Sequence, residues 1–388
     1  MLRYCTRCVM PDSKPDLRFD AEGVCSACRN YENRAEIDYA AREVELQRVL
    51  ERYRCKSGTN YDCIVPVSGG KDSTYQVLQV LDLGLNPLCV TATTDHLTAI
   101  GRHNLDNIKA LGVDLIEVST NPQVRRRINR LALETVGDIS WPEHAAIFTI
   151  PVRVAVQMQI PLIIWGENPQ HEYGGPAAAA QDNTLTRRWL EEFGGLLGLR
   201  VSDLVGQVGI TRRDLVQYTY PTDEDLARVG VSCIFLGYYR PWDGYRNALV
   251  AQAHGFHTFP TTVEGSLVNY ENLDNAQTGI HDYFKFLKFG FGRATDIACL
   301  HVRRGRLSRR EAIRLVEKHD GKFPWTYLGV PIEDVLEPLE MSVDDFVKIC
   351  DRFTNKKIFE CDRRGRLIKD RRGNLTKLVS DNPVGAAA

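Results

Sequence analysis

The stretch Tyr61-Asp62-Cys63-Ile64-Val65-Pro66-Val67, running straight into Ser68-Gly69-Gly70-Lys71-Asp72-Ser73, constrains this chain more than any other. An apolar run of this length reads as a buried strand, and the periodic segment from Ser73 to Leu83 reads as a helix stopped by Gly84. Two glycines between them let backbone N–H groups approach an anion more closely than side-chain-bearing residues would. The helix turns its positive end toward the same point. Ser68 and Ser73 add hydroxyls and Lys71 a full charge. Asp72 is out of place in a pure anion site, unless it helps to hold a Mg²⁺ that bridges phosphate oxygens. The loop is not a Walker A sequence, because Val65 stands where that pattern needs its first glycine and Asp72 follows the lysine.

Short apolar runs then alternate with helical ones. Strands are expected at Pro87 to Thr93, Asp114 to Val118, Gln159 to Trp165 and Ser232 to Gly237, with helices around His103 to Leu111 and, later, at Ile280 to Phe289, Ser308 to His319 and Ser342 to Phe353. This alternation predicts an α/β fold with a parallel sheet, in which ligands sit beyond the carboxyl ends of the strands. Ser68-Gly69-Gly70 and Gly166-Glu167-Asn168 both fall at such ends. From about Ala35 to Arg54 a charged helix with Val44, Leu46, Val49 and Leu50 as its apolar stripe connects the first thirty residues to the sheet. Residues from about Pro176 to Leu204 show no pattern that fixes an element, and the polar tail after Asp362 is expected to fray.

The N-terminal part carries Cys5-x2-Cys8 and Cys25-x2-Cys28, separated by sixteen residues. Two such pairs match a four-thiolate zinc ribbon, with structural Zn²⁺ expected and an iron–sulfur cluster as the competing occupant. Cys55, Cys63, Cys89, Cys233, Cys299, Cys350 and Cys361 show no paired spacing and read mostly as small buried hydrophobes. The chain has 388 residues, 43% hydrophobic and 26% charged, with a formal net charge of −1. That balance argues against bulk electrostatic binding of nucleic acid. No apolar run is long enough to span a membrane. A cytoplasmic location is expected, where most arginine pairs would be solvated faces. Three segments follow: 1–54 for the cysteine knot and connecting helix, 55–260 for the phosphate-loop domain, and 261–388 for a mainly helical C-terminal region.

Ser68-Gly69-Gly70-Lys71-Asp72-Ser73 resembles the PP-loop of the ATP-pyrophosphatase superfamily, whose members split ATP between the α and β phosphates and attach AMP to an oxygen on carbon. Four further stretches narrow the resemblance: Cys5-Thr6-Arg7-Cys8-Val9-Met10-Pro11-Asp12; Gly166-Glu167-Asn168-Pro169 with Glu172-Tyr173-Gly174-Gly175; Phe235-Leu236-Gly237-Tyr238-Tyr239 with Trp242-Asp243; and His281-Asp282-Tyr283 with Lys285-Phe286-Leu287-Lys288-Phe289-Gly290. Together they resemble the N-acetyl sugar amidotransferases of surface-polysaccharide and flagellin-glycan synthesis, with Ser13 where that family is expected to have threonine. The resemblance implies adenylation of a sugar acetamido oxygen and its replacement by ammonia, giving an acetamidino sugar. The sugar would be nucleotide-activated or a nonulosonic acid. It also implies partners similar to the glutaminase and cyclase subunits of imidazole-glycerol-phosphate synthase. Independently, no cysteine has the Gly-x-Cys-x-Gly setting of a triad glutaminase and residue 2 is Leu, so the ammonia is expected from outside the chain. A tRNA-thiolating enzyme is the alternative reading.

On this basis Ser68, Gly69, Gly70, Lys71, Asp72, Ser73, Thr93 and Asp95 are the candidate ATP-binding residues. Thr93 and Asp95 form either an adenosine contact or an ordinary turn. Lys71, Asp72, Glu167 and His171 are the candidate catalytic residues, Glu167 holding Mg²⁺ or steering ammonia and His171 shuttling a proton or simply filling a structural place. Asn168, Glu172, Tyr173, Gly174, Tyr238, Trp242 and Lys288 are candidates to contact the sugar substrate, the aromatics being equally suited to a core. Lys285 and Arg293 join Lys288 as possible contacts to a diphosphate or a partner.

Overall fold

The computed structural model describes residues 2–167 and 196–378. Two N-terminal helices, α1 (Ser26–Glu32) and α2 (Tyr39–Tyr53), lead to a repeating unit. It consists of β1 (Cys63–Pro66), α3 (Lys71–Asp82), β2 (Pro87–Ala92), α4 (Ala99–Ala110), β3 (Asp114–Val118), α5 (Pro122–Val136), α6 (Trp141–Met158) and β4 (Leu162–Trp165). After residue 195 come α7 (Asp223–Val229), β5 (Ser232–Phe235), the single turn α8 (Leu236–Tyr239) and α9 (Gly244–Ala253). The C-terminal region holds α10 (Thr278–Phe289), α11 (Arg293–Arg303), α12 (Arg309–His319), the two-residue strands β6 (Thr326–Tyr327) and β7 (Val330–Pro331), α13 (Ile332–Leu336) and α14 (Val343–Phe353).

The five long strands form one sheet in the order β3-β2-β1-β4-β5, every pairing parallel. Successive residues feed opposite faces. Ile64, Leu88, Val90 and Ile163 enter the core under α5 and α6, while Cys63, Val65, Cys89, Leu162 and Ile164 enter the core under α2, α3 and α4. Both faces are therefore covered, which is why these strands are apolar throughout and not alternating. The chain winds outward from β1 through β2 to β3, then returns to lay β4 on the other side of β1. The direction of winding thus reverses between β1 and β4, and crevices for ligands open at such points. The loop after β1 and Gly166-Glu167 after β4 flank that reversal.

The expected helix at Ala35 to Arg54 forms as α2, but Val44 is exposed, and only Leu46 and Leu50 of the stripe are fully buried. The sequence reading assigned no element to the region of α5 and α6. Asn121 accepts from the N–H groups of Gln123 and Val124 to start α5, with Pro122 at its first position. The tail does not fray at Asp362: antiparallel bridges pair Phe359 with Lys377, Cys361 with Leu367, and Lys369 with Leu375.

The cysteine knot has no core of its own. Cys5, Cys8, Cys25, Cys28, Val9 and Met10 pack with Phe291, Ala298, Cys299, Ala312 and Val316 of the C-terminal region. Ser13 donates its hydroxyl to the carbonyl of Phe289, so serine serves there as threonine would.

Asp62, buried just ahead of β1, fixes the amino end of the central strand. Its carboxylate accepts from the N–H groups of Cys55 and Asn86, each at 2.7 Å. Asp62→Ala orphans both donors and should cost ~2–3 kcal/mol. Chemical denaturation is expected to show this loss, while nucleotide affinity at the opposite end of the strand changes little.

Candidate active site

Gly69 has φ +79°, and a Cβ there would stand 2.6 Å from the backbone nitrogen of Leu105. Glycine is required here both for the left-handed backbone and for the close approach of α4. Gly70 caps α3. The Ser73 hydroxyl donates to the Gly70 carbonyl at 3.0 Å, and the Gly70 N–H reaches the Ser68 hydroxyl at 3.3 Å. The two serines thus brace the loop as well as lining it.

Lys71 is buried and its ammonium meets two carboxylates, Asp72 beside it and Glu271 at 2.7 Å. Asn247 on α9 donates to the other oxygen of Asp72 at 2.8 Å. Gly244, at the start of the same helix, permits this approach, since a Cβ there would sit 3.3 Å from Lys71 Cε. A buried ammonium between two acids is an assembled cluster and not a mobile surface lysine.

Facing the loop across a cavity of about 460 Å³, part of it open to solvent, is the segment Tyr270-Glu271-Asn272-Leu273-Asp274. It is stitched to the start of α4. The Thr98 N–H donates to the Asp274 carbonyl at 3.1 Å, the Thr98 hydroxyl to that of Leu273, and a Cβ on Gly101 would lie 2.6 Å from Asp274 Cα. Burial pushes the Asp274 carboxyl above the usual carboxylate range. Glycine-borne N–H groups, a lysine and the N-terminus of α3 suit a polyphosphate. Asp72, Glu271 and Asp274 make the cavity too acidic for a bare anion, yet suitable for an anion bound together with Mg²⁺. Asn247 Oδ1, on the side chain that holds Asp72, is buried and without a hydrogen-bond partner among the described residues.

Of the candidate residues, the structure brings Ser68, Gly69, Gly70, Lys71, Asp72 and Ser73 together in this cavity. Glu167 lies beside it in topology, at the end of β4, with the Gly237 N–H donating to the Gly166 carbonyl at 2.9 Å. Asn168, His171, Glu172, Tyr173 and Gly174 lie outside the described residues. Thr93 and Asp95 are not among the cavity's walls. The Thr93 hydroxyl pairs with that of Ser119 at 2.6 Å, and Asp95 pairs with the buried Arg125 at 2.5 Å. That pairing also removes Arg125 from the solvated arginines. Trp242 is buried edge-on against Tyr75, with ring centroids 5.4 Å apart. Tyr238 lies under the Arg42 guanidinium at 3.9 Å. Lys288 donates to the carbonyls of Val136 and Gly137 at the end of α5, at 2.7 and 3.0 Å. Lys285 meets Asp296 at 2.5 Å and Arg293 meets Asp282 at 3.0 Å. These cations are engaged inside the protein. Conversely, Glu271, Asp274 and Asn247 were not singled out from sequence. For Glu271 and Asp274 the one visible signal is the polar run from Asn269 to Asn275, in a stretch with no strand or helix period.

The four N-terminal thiols are buried within 4.8 Å of one another, with Sγ–Sγ separations of 3.7 Å for Cys8 and Cys25 and 4.0 Å for Cys5 and Cys28. Ligands about 2.3 Å from one tetrahedral ion stand nearly that far apart. Backbone N–H groups of Arg7, Cys8 and Cys25 point at Cys5 Sγ, as a thiolate requires. The residues fit a single structural ion.

Residues 256–372 match the family model of the LPS biosynthesis protein WbpG-like C-terminal domain. This WbpG-like segment supplies Glu271 and Asp274 to the cavity, and it contains the His281 to Gly290 stretch that resembles the sugar amidotransferases. The match thus supports that family resemblance from a part of the chain that lacks the phosphate loop. No curated protein matches the chain. Among solved structures, the NMN synthetase from Francisella tularensis aligns over 52% of this chain and 93% of its own, at 14% identity with a TM-score of 0.27.

Gly69→Ala would force a Cβ into the backbone of α4 and should cost ~1–3 kcal/mol. Nucleotide affinity is expected to fall at least about tenfold, the equivalent of ~1.4 kcal/mol, in equilibrium binding of ATP. Glu271→Gln removes one of the two counter-acids of Lys71, so the affinity for Mg²⁺–ATP in equilibrium binding is expected to fall about tenfold.

Proposed function

We propose that this chain is the synthetase half of an amidotransferase acting on an N-acetyl sugar in the synthesis of a bacterial surface polysaccharide. The observation that carries the reading is Lys71 of the phosphate loop paired with Glu271 of the WbpG-like segment. A loop of the ATP-pyrophosphatase type and a segment similar to lipopolysaccharide-biosynthesis proteins meet in one cavity.

The chemistry follows from what an amide lacks. Its oxygen is a poor leaving group, so ammonia cannot displace it directly. Attack by the acetamido oxygen on the α-phosphorus forms an O–P bond and expels pyrophosphate. The resulting O-adenylyl imidate has AMP as its leaving group. Ammonia then adds to the imidate carbon, and AMP departs with the former amide oxygen, leaving an acetamidine. Lys71 and the N–H groups of the loop hold the departing pyrophosphate, and the strand-end geometry fixes it in line. Asp72, Glu271 and Asp274 are the residues that would hold Mg²⁺, which neutralises charge on the phosphates when bound. Glu167, at the end of the neighbouring strand, is suited to meet the incoming ammonia. Zn²⁺ in the four-thiolate site is structural in this reading: a single ion suits the thiol spacing better than a cluster, whose irons would hold the sulfurs farther apart. Ammonia reaches the site from a separate glutaminase with a cyclase-like partner.

The test is direct. The isolated chain is incubated with ATP, Mg²⁺, ammonium and a panel of nucleotide-activated N-acetyl sugars and nonulosonic acids. AMP, pyrophosphate and a product lighter by the exchange of O for NH are expected by mass spectrometry. Formation of ADP, or AMP release driven by tRNA and not by any sugar, would sink the reading. With glutamine as the sole nitrogen source the chain alone should release no glutamate. Stripping zinc with a strong chelator should lower the melting temperature by several degrees, since a structural ion contributes folding energy outright.

A further inference from the structure

A second group of ligand-type side chains lies apart from both the phosphate loop and the four thiols. Asp138 sits in the turn between α5 and α6, His144 in the first turns of α6, and His281 in the first turn of α10. These are three separate elements, the last within the WbpG-like segment. Asp138 Oδ1 stands 2.8 Å from His281 Nδ1, and Asp138 Oδ2 stands 3.4 Å from His144 Nδ1. One ligand atom from each residue falls within 4.8 Å of the others. Among the described residues, this and the cysteine quartet are the two places where such atoms converge.

We propose that Asp138, His144 and His281 form a binding site for a divalent first-row transition-metal ion. Two imidazole nitrogens and one carboxylate are the donor set that Zn²⁺, Fe²⁺ and Mn²⁺ accept, harder than the thiolates at the N-terminus. Donors about 2.0–2.2 Å from one ion stand roughly 3 Å apart, so the two carboxylate–imidazole distances already lie near those of a filled shell. The carboxylate is 3% exposed while the imidazoles are 25% and 28% exposed. The site therefore has a buried anionic base and a solvent-reachable rim. Asp138 Oδ1 also accepts the Ser140 N–H at 2.9 Å, which fixes the carboxylate's orientation. Lys288, within electrostatic reach of Asp138, gives its protons to the carbonyls of Val136 and Gly137, not to the carboxylate. The two imidazole rings meet edge to face at 5.0 Å, so neither stacks across the gap.

Three protein donors leave at least one coordination position open, which is the arrangement of sites where an ion meets water or a substrate oxygen. The fold favours such a role. α6 runs antiparallel to the strands, so its first turns lie at the carboxyl edge of the sheet, the edge on which the phosphate loop sits. α10 follows the 270–274 segment that walls the loop cavity, and the Ala276 N–H donates to the His96 carbonyl at 3.1 Å, beside the end of β2. The inference rests on the three side chains alone and stands whether or not the substrate is a sugar.

The experiment loads the full-length chain with Co²⁺ or Zn²⁺, removes loose metal, and measures bound metal per chain with the visible cobalt spectrum. Wild type is expected to hold about two equivalents, one thiolate-bound and one nitrogen- and oxygen-bound. Asp138→Asn and His281→Gln should each hold about one equivalent, with the thiolate-to-cobalt bands retained. A thiol-blocking mercurial added to wild type should release the thiolate-bound ion and leave the other, which tests the site even where a variant fails to fold. Overturning results are a wild type whose cobalt is all thiolate-bound, or variants that hold as much metal as wild type. Either would make the cluster a hydrogen-bonded clip in which one carboxylate orients two imidazoles.

Discussion

Lys71 is a buried cation that joins two parts of the chain which the sequence presents far apart. A lysine ammonium inside a protein is costly unless it is paired, and here the pairing comes from Asp72 next to it and Glu271 two hundred residues on. The strand β1 and the turn at Gly69 set the lysine's starting point. α9 presses against its stem through Gly244, and α4 anchors the segment that carries Glu271. The charge is thereby held where a polyphosphate would arrive, with its counter-acids placed to turn toward a metal ion.

The sheet was legible from sequence because a parallel sheet buried on both faces needs uninterrupted apolar strands, and glycine must stand where backbone has to approach an anion. Every strand of the sheet was expected within a few residues of where it lies. The helices between β3 and β4 were not assigned. α6 is apolar almost all round, with Pro142 and Pro151 in it, so its burial between sheet and surface erased the one-sided stripe that identifies a helix. The fraying expected after Asp362 also failed over the described residues, to 378. That tail is polar and rich in arginine, but its order comes from backbone pairing between Phe359 and Lys377, which leaves no trace in side-chain pattern.

The site divides along the same line. Residues contributed by a contiguous motif, Ser68 to Ser73 and the four cysteines, could be named because spacing alone defines the geometry. Residues contributed by tertiary contact could not. Glu271 and Asp274 lie in a loop with no period, and their meaning depends on α4 bringing them across the phosphate loop. Charged residues within and just after the family-like stretch from His281 to Gly290 misled in the opposite direction. Lys285, Lys288 and Arg293 read as ligand contacts, whereas each meets an acid or a carbonyl within the WbpG-like segment or at the end of α5. A cation in a motif carries no sign of whether its counter-charge is a substrate or a neighbouring helix.

The packing of the cysteine knot against α11 and α12 bears on how the chain is made. Its thiols leave the ribosome well ahead of Phe291, Ala298, Ala312 and Val316, which complete their apolar surroundings. During synthesis the knot must wait, with its apolar side uncovered, until those residues have emerged. An ion captured early by the four thiols would keep that waiting segment folded and its cysteines unreactive. The knot is thus made early and finished late, and removing the segment from Phe291 to Val316 would uncover it.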